Sequence, residues 1–264
     1  MIPEGCYLAA AMSKTVFITG AASGIGKATS LLFGSKGWRV GCYDVDVDGA
    51  RKVAEQLEGA AHGRVDVTSE ESWKTAVADF AGASGGLDVL FNCAGILRMG
   101  RFEDVGAADC RKQLDVNVMG VILGIQACLP LLERSRGCIV NMSSASAIYG
   151  QPELAVYSAS KFAVRALTEA LDIELAPRGI RVADIMPGYV DTPMVSSQTH
   201  KAKSLQQLGV KLTPEKIAGL VWEAVHGTKL HYIPQTDLRI LSRIGGLVPE
   251  LGRAAMRRMA NKKT

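Results

Sequence analysis

The sequence of 264 residues has few of the features that mark membrane or secreted proteins. It has no run of 18 or more apolar residues, so we predict no transmembrane helix. Its first twelve residues have neither a basic start nor a long apolar stretch, unlike a signal peptide. Its six cysteines and four histidines are dispersed, at spacings that fit neither a disulfide framework nor a metal site. We therefore expect free thiols, no metal and a cytoplasmic protein.

The composition indicates one globular domain. Apolar residues make up 48% of the chain and charged residues 21%, as in ordinary soluble proteins. This length supports one large core rather than two. We expect a disordered leader over residues 1–13, with Met1 or Met12 as the natural start. The domain itself is expected over 14–235, with an extension of the same domain over 236–264.

The extension carries the strongest local charge. Between Arg239 and Thr264 there are seven Lys or Arg residues and one acid, a net of +6, so the rest carries −2 of the total +4. Leucines and isoleucines alternate with these cations. One interpretation is a helical cap over a ligand cleft or a subunit interface, and the other is weak peripheral contact with anionic lipid. Nucleic acid is not expected as a partner, because no aromatic residues accompany the cations.

Short apolar runs alternate with stretches of helical pattern. The predicted strands are 15–19, 38–43, 62–66, 87–92, 137–142, 180–186 and 230–234. The predicted helices are 25–36, 48–58, 69–82, 107–134, 155–177 and 214–227. This alternation predicts an α/β fold, a Rossmann-like doubly wound sheet of about seven parallel strands with helices on both faces. Ligands of such sheets bind at the carboxyl ends of the strands.

A glycine-rich turn follows the first predicted strand. It reads Gly20-Ala-Ala-Ser-Gly24-Ile-Gly26 and leads into a predicted helix, the order that a dinucleotide site needs. The second strand ends at Asp44, eighteen residues after Gly26. An acid there can bind the adenosine ribose and repel a 2′-phosphate, although it can also be a simple capping residue. We therefore expect NAD rather than NADP.

Tyr157 and Lys161 stand four residues apart in a predicted helix, so both side chains lie on one face. A free tyrosine has a pKa of about 10, and a neighbouring ammonium group favours its phenolate form. Ser144, thirteen positions upstream, could hold a carbonyl or alcohol oxygen while Tyr157 moves a proton. Together with a hydride carrier, such a site interconverts an alcohol and a ketone. The tyrosine–lysine pair alone also occurs on many surface helices.

The glycine spacing Thr19-Gly-x-x-x-Gly-Ile-Gly26, with Tyr157-x-x-x-Lys161, resembles the short-chain dehydrogenase/reductase family. The resemblance extends from about Thr15 to Pro234. It also rests on these segments: Asp66-Val67, Asn92-Cys93-Ala94-Gly95, Asn117 in Leu-Asp-Val-Asn-Val-Met-Gly, Ser144, and Pro187-Gly188-Tyr189-Val190-Asp191-Thr192. Cys93 departs from the family pattern, which has asparagine at that position.

The resemblance implies a set of site residues. The predicted catalytic residues are Asn117, Ser144, Tyr157 and Lys161. The predicted NAD-binding residues are Gly20, Ser23, Gly24, Ile25, Gly26, Asp44, Asp66, Val67, Asn92, Ala94, Gly95, Tyr157, Lys161, Pro187, Gly188, Val190 and Thr192. In this expectation Tyr157 takes the hydroxyl proton, Lys161 lowers its pKa and binds the nicotinamide ribose, and Asn117 anchors a water for proton relay. Ser143 competes with Ser144 for the serine role.

The substrate is less well defined. The segment 145–154 and the leucines of the extension suggest an apolar pocket, so we expect a bulky lipophilic secondary alcohol or ketone, steroid-like or similar. A 3-oxoacyl thioester reductase is an alternative, against which Asp44 counts, and a non-catalytic dinucleotide-sensing or scaffold protein is another. The family implies that 188–213 is a substrate lid, which we expect to order on binding. It also implies a homodimer or homotetramer, with helices 107–134 and 155–177 at the interface.

Overall fold

The computed structural model describes residues 13–245 and residue 257. Its seven strands are β1 (Thr15–Thr19), β2 (Arg39–Asp44), β3 (Ala61–Arg64), β4 (Val89–Asn92), β5 (Cys138–Met142), β6 (Arg181–Ile185) and β7 (His231–Tyr232). All neighbours pair in parallel, in the order β3-β2-β1-β4-β5-β6-β7. The strand order reverses between β1 and β4, where a doubly wound sheet opens a crevice for ligands. The predicted fold class is confirmed.

The described residues include ten α-helices. They are α1 (Gly24–Ser35), α2 (Val47–Ala54), α3 (Glu70–Ser84), α4 (Ala107–Leu114), α5 (Gly120–Ser135), α6 (Ala155–Leu175), α7 (Pro193–Ser196), α8 (Lys203–Leu208), α9 (Pro214–His226) and α10 (Thr236–Gly245). The single helix predicted over 107–134 is divided by a π-helical turn, Asp115–Met119. Such a turn adds a residue to the helix and often marks a functional position.

The core lies on both faces of the sheet. All five residues of β1 are buried because the strand is central; Val16 and Ile18 face one hydrophobic cluster and Phe17 faces the other. The first cluster includes Phe33 of α1 and Val221 of α9. The second cluster contains residues of α3, α5 and α6. A strand buried on both faces has a continuous apolar run, which is why β1 is easy to recognise in the sequence.

The helical stretch Ala107–Ser135 is long and apolar enough, by length and composition alone, to span a membrane. This qualifies the prediction of no transmembrane helix, which rested on uninterrupted apolar runs. Core helices of soluble proteins have the same composition, and one side of α5 packs into the second cluster through Val121, Ile125 and Leu132. Leu114 of α4 and Met119 of the π-helical turn are 42% and 44% exposed.

The predicted lid, 188–213, contains the short helices α7 and α8. It packs on a third apolar cluster, in which Val195, Ala202 and Leu205 of this segment contact Leu97, Met99 and Leu154. The extension starts with α10. Most of the predicted leader, 1–12, and the tail residues 246–256 and 258–264 lie outside the described residues.

Candidate active site

The glycine turn between β1 and α1 requires glycine at two of its positions. Gly20 has φ +69°, and a Cβ atom there would lie 3.0 Å from the backbone Cα and N of Ala94. A Cβ atom on Gly26 would lie 2.0 Å from the Gly20 carbonyl oxygen. Within the described chain the Ser23 side chain makes no capping bond to α1, which leaves the first N–H groups of this helix available to an anion.

Asp44 closes the same turn from the end of β2. One carboxylate oxygen accepts a hydrogen bond from the backbone N–H of Ala22, and the other accepts one from Asp46, both at 3.0 Å. Next to it Val45 is 59% exposed and lines the same cavity. The carboxylate is therefore fixed beside the turn, and its neighbour in the chain supplies no positive charge for a 2′-phosphate.

The end of β4 is tied to the end of β1. The Thr19 hydroxyl accepts hydrogen bonds from the backbone N–H groups of Cys93 and Ala94, each at 3.1 Å. Asn92 is one of the predicted cofactor contacts. It is buried, does not line the cavity, and its Nδ2 donates to Asn141 Oδ1 of β5 at 2.9 Å. Its amide nitrogen therefore links two strands, and a contact with the cofactor stays a prediction.

Ser144, Tyr157 and Lys161 converge on the cavity at the end of β5. Ser144 precedes a 3₁₀ turn, Ala145–Ala147, and its hydroxyl accepts a hydrogen bond from Ser146 N at 3.1 Å. Lys161 is buried, donates to the Met142 carbonyl at 2.7 Å, and lies 5.7 Å from the centroid of the Tyr157 ring. One turn of α6 separates the two side chains, as the spacing predicted.

The neighbouring Ser143 has a different task. Its hydroxyl donates to the backbone carbonyl of Lys161 at 3.2 Å and so ties β5 to α6. The hydroxyl of Ser144 instead hydrogen-bonds Tyr157, which lowers the pKa of the tyrosine. Of the two serines, Ser144 is the one placed to share an oxygen with Tyr157.

Asn117 lies behind the cavity rather than in its wall. It is fully buried in the π-helical turn. Its Oδ1 accepts from Ile96 N at 2.8 Å, and its Nδ2 donates to Ile96 O at 2.9 Å and to Ser160 Oγ at 3.1 Å. Its side-chain amide is therefore engaged within the described chain, and the anchoring of a water stays a prediction.

Burial is the largest influence on the pKa values of Tyr157 and Lys161. Burial raises the pKa of Tyr157 to about 12, against the lowering effect of Ser144. Burial lowers the pKa of Lys161 to about 8. Removal from water disfavours both the phenolate and the ammonium group. The predicted lowering of the Tyr157 pKa by Lys161 stays a prediction.

One cavity of about 1060 Å³ joins these features. Of the predicted site residues, all but Asn92 and Asn117 line it: Gly20, Ser23, Gly24, Ile25, Gly26, Asp44, Asp66, Val67, Ala94, Gly95, Ser144, Tyr157, Lys161, Pro187, Gly188, Val190 and Thr192. Hydrogen bonds from the Thr68 side chain and backbone hold the pKa of Asp66 below its usual range. The sequence motifs at the strand ends therefore belong to one continuous site.

The other end of the cavity is apolar. Its wall includes Leu97, Leu154, Met194, Val195, Leu208, Leu238 and Leu241. The buried Gln151 lies among them, but its amide is used internally: Nε2 donates to Ser146 Oγ at 3.1 Å, and Oε1 accepts from Ser204 Oγ at 3.1 Å. Ser204 also shares a hydrogen bond of 2.7 Å with the Tyr189 hydroxyl. These polar groups hold the lid segment in place, and Lys211 and Asp237 also line the cavity.

Sequence reasoning missed Gln235. Its Oε1 accepts a hydrogen bond from the backbone N–H of Gly188 at 2.9 Å, and it lines the cavity. The two residues are 47 positions apart, and no local pattern relates them. Leu238 and Leu241 follow on α10, which therefore covers the cleft as one of the two interpretations of the extension proposed.

The sequence of this chain is similar to a family model and to the sequences of known enzymes. The family model described as short chain dehydrogenase matches residues 14–203. The chain is 40% identical over 185 residues, 69% of its length and 71% of the relative's, to a 3-alpha-(or 20-beta)-hydroxysteroid dehydrogenase of Mycobacterium bovis. It is 36% identical over 218 residues to a 3-oxoacyl-acyl-carrier-protein reductase of Thermotoga maritima, covering 79% and 88% of the two chains.

A solved structure is also similar over nearly the whole chain. It is a short-chain dehydrogenase/reductase of Burkholderia phymatum in complex with NAD, with a TM-score of 0.83 and 26% sequence identity. The match covers 91% of this chain and 95% of the other.

Proposed function

The chain belongs to the short-chain dehydrogenase family, and from this premise we propose that it interconverts a bulky, lipophilic secondary alcohol and its ketone. It is an oxidoreductase that acts on CH–OH groups with NAD. The observation that carries the substrate proposal is the apolar end of the cavity beside Ser144 and Tyr157. Ligand pockets commonly measure about 300–1,000 Å³, so a cavity of about 1060 Å³ stands at the upper end of this range.

The residues present fit a dinucleotide. A side chain at Gly20 or Gly26 would collide with backbone, so the turn stays open to close approach by a ligand. Asp44 offers acceptors for ribose hydroxyls, and the start of α1 attracts phosphate. When bound, NAD supplies the hydride chemistry. We therefore assign Gly20, Gly26 and Asp44 to the adenosine and pyrophosphate half of the site.

The proton chemistry belongs to Tyr157. With a pKa of about 12 the phenol keeps its proton at neutral pH and can donate it to a ketone oxygen held by Ser144. In the opposite direction Tyr157 must accept the alcohol proton. Lys161, with a pKa of about 8, is largely protonated at neutral pH. Its positive charge favours the phenolate form of Tyr157, which is the form that accepts a proton. The buried Asn117 supports α6 through Ser160.

The internal engagement of Gln151 supports an apolar substrate. A substrate hydroxyl or carboxylate at this end of the cavity would compete with Ser146 and Ser204 for the amide. Apolar rings, by contrast, gain from contact with Leu154, Leu238 and Leu241 at about 25 cal/mol per Å² of buried surface. The hydroxysteroid dehydrogenase among the relatives acts, by its name, on such a ring system.

The first experiment is NADH formation over a panel of alcohols: cyclopentanol, a 3α-hydroxysteroid, a 20β-hydroxysteroid and a 3-hydroxyacyl thioester, each with NAD and with NADP. We expect oxidation of a cyclic or steroid alcohol with NAD, and weaker activity with NADP. Turnover of the thioester alone would favour the reductase alternative, which the Thermotoga relative represents. NADH binding without turnover of any alcohol would favour a sensing or scaffold protein.

Exposed apolar side chains on neighbouring helices support a homodimer or homotetramer. Leu114 and Met119 lie at the α4–α5 junction, and Phe162 and Ile173 of α6 are 40% and 79% exposed. A patch of this kind commonly marks an association surface.

We place the protein in the cytoplasm, since the described cysteines, 42, 93, 110, 128 and 138, are free.

A further inference from the structure

Helix α6 carries functional side chains beyond the catalytic pair. Arg165 and Glu169 continue the four-residue spacing of Tyr157 and Lys161, so all four lie along one face of the helix. Neither Arg165 nor Glu169 lines the cavity. The mechanism described above uses neither of them.

Arg165 reaches back to the turn that carries Ser144. Its Nη1 donates to the carbonyl oxygen of Ala147 at 3.1 Å, and Ala147 is the last residue of that 3₁₀ turn. Lys161 already holds the other end through the Met142 carbonyl at 2.7 Å. Two side chains of α6 therefore hold the segment 142–147 at both ends, with Ser144 between them.

The guanidinium group of Arg165 is itself held in place. Its Nε donates to Glu169 Oε1 at 2.7 Å, and the same carboxylate oxygen lies 3.2 Å from His231 Nε2. The other ring nitrogen of His231 lies 2.9 Å from Asp184 Oδ1, on the neighbouring strand β6. Asp184 is fully buried. A row of alternating basic and acidic side chains, Arg165, Glu169, His231 and Asp184, thus extends from the sheet edge to the Ser144 turn.

We propose that Arg165 is a positioning residue that fixes Ser144 relative to Tyr157, and that Glu169, His231 and Asp184 orient Arg165. The proposal rests on the proposed function, because it gives Ser144 a catalytic role. Arg165 suits this task because its planar group presents several donors in one rigid arrangement, which lysine cannot reproduce. Displacement of a catalytic group by about 1 Å can cost about 100-fold in rate.

The test compares Arg165→Met, Arg165→Lys and Glu169→Gln with the wild-type protein. Arg178→Met is the matched control, since Arg178 makes a bidentate ion pair with Glu133 at 3.0 and 2.8 Å beyond the end of α6. Two quantities are measured: kcat and KM on the fastest alcohol of the panel, and hydrogen–deuterium exchange of the peptide 143–149. NADH affinity is measured by fluorescence for every variant.

We expect Arg165→Met to lower kcat by about 10- to 100-fold, with the NADH dissociation constant within about 2-fold of wild type. Arg165→Lys and Glu169→Gln should give intermediate losses. Exchange in 143–149 should be faster in Arg165→Met and unchanged in Arg178→Met. A normal kcat in Arg165→Met, an equal loss in Arg178→Met, or unchanged exchange in 143–149 would each overturn the proposal.

The exchange measurement keeps the two proposals separate. If the wild-type protein oxidises none of the alcohols, the proposed function fails. Faster exchange in Arg165→Met would even then show that Arg165 holds the turn, and unchanged exchange would show that it does not. If Arg165→Met does not fold, Glu169→Gln and Arg165→Lys give the same comparison.

Discussion

Tyr157 has surroundings that oppose its ionisation. Burial keeps the pKa of its phenol at about 12 and brings the pKa of Lys161 down to about 8. The phenol therefore keeps its proton at neutral pH. Its work as a base requires further positive charge beside it, which an oxidised nicotinamide carries. The pair identified from the sequence is in place, but its electrostatic balance follows from burial, which spacing alone does not reveal.

The two adjacent serines offer a matched test at the residue scale. Ser144 hydrogen-bonds Tyr157, whereas Ser143 donates to a backbone carbonyl. We predict that Ser144→Ala lowers kcat by about 100-fold or more, because the reacting oxygen loses a preorganised donor. Ser143→Ala should keep kcat within about 10-fold. Steady-state kinetics on one alcohol decides between them, and a larger loss in Ser143→Ala would reverse the assignment.

Some residues of the site are readable from the sequence and others are not. Gly20, Gly26 and Asp44 are readable because turn geometry and strand position restrict what can stand there. The motif places Asn92 at a strand end but does not give the direction of its side chain, which bonds Asn141 and does not line the cavity. Gln235 and Arg165 are invisible because their partners, Gly188 and Ala147, are distant in the chain. Periodicity gives the face of an element and not the neighbour that this face meets.

At the scale of elements, β7 is short but well anchored. It has two residues, and its His231 lies between Asp184 of β6 and Glu169 of α6. Burial lowers the pKa of His231, but the hydrogen bond and charge of Asp184, with the charge of Glu169, raise it overall. Burial has the opposite effect on the carboxyl group of Asp184 and raises its pKa.

The raised pKa of His231 makes the stability of the folded protein depend on pH. A histidine whose folded-state pKa lies above its unfolded value of about 6.5 stabilises the fold fully below that pH. This contribution is lost as pH rises through the higher folded-state pKa. We therefore predict that the melting temperature falls as pH rises above about 6.5, and that His231→Gln shows a smaller fall. His226→Gln is the control, and an identical slope in His231→Gln and wild type would contradict this account.

The lid segment, 188–213, and the start of the extension, which forms α10, are recognisable in the sequence mainly by their composition. Residues 188–213 have no strong periodicity, yet α7 and α8 form there because Val195, Ala202 and Leu205 share one apolar cluster with Leu97. Short helices of this kind depend on tertiary contacts rather than on propensity. The first turns of the basic extension form α10, whose Leu238 is buried against the cavity. The rest of the extension lies outside the described residues, and its contact with lipid stays a prediction.

At the scale of the whole molecule, the fold could be predicted almost completely. The seven strands recur at or near their predicted positions. The central strands, such as β1, β4 and β5, are buried on both faces and so have continuous apolar runs. Topology then brings the motifs at their carboxyl ends into one cavity. The substrate could not be predicted to the same depth, since the apolar wall combines residues from loops, lid and cap.

The exposed apolar helix surface leads to a prediction about assembly. Ile173 is 79% exposed and Met119 is 44% exposed. We predict that the wild-type protein is a dimer or tetramer by size exclusion with light scattering, and that Met119→Glu shifts it toward a smaller species. Val210→Glu is the control, because Val210 is equally exposed at 44% but lies in the lid segment. A monomeric wild type would contradict the proposed interface.

The most direct test of the account is the rate of NADH formation by Tyr157→Phe beside wild type. The substrate is the alcohol of the panel that wild type oxidises fastest, and NADH affinity is measured on the same samples. We predict that kcat falls by about 100- to 10,000-fold, because the proton acceptor is lost, while the NADH dissociation constant changes by less than about 3-fold. A kcat within a few-fold of wild type would contradict the central claim that Tyr157 transfers the proton.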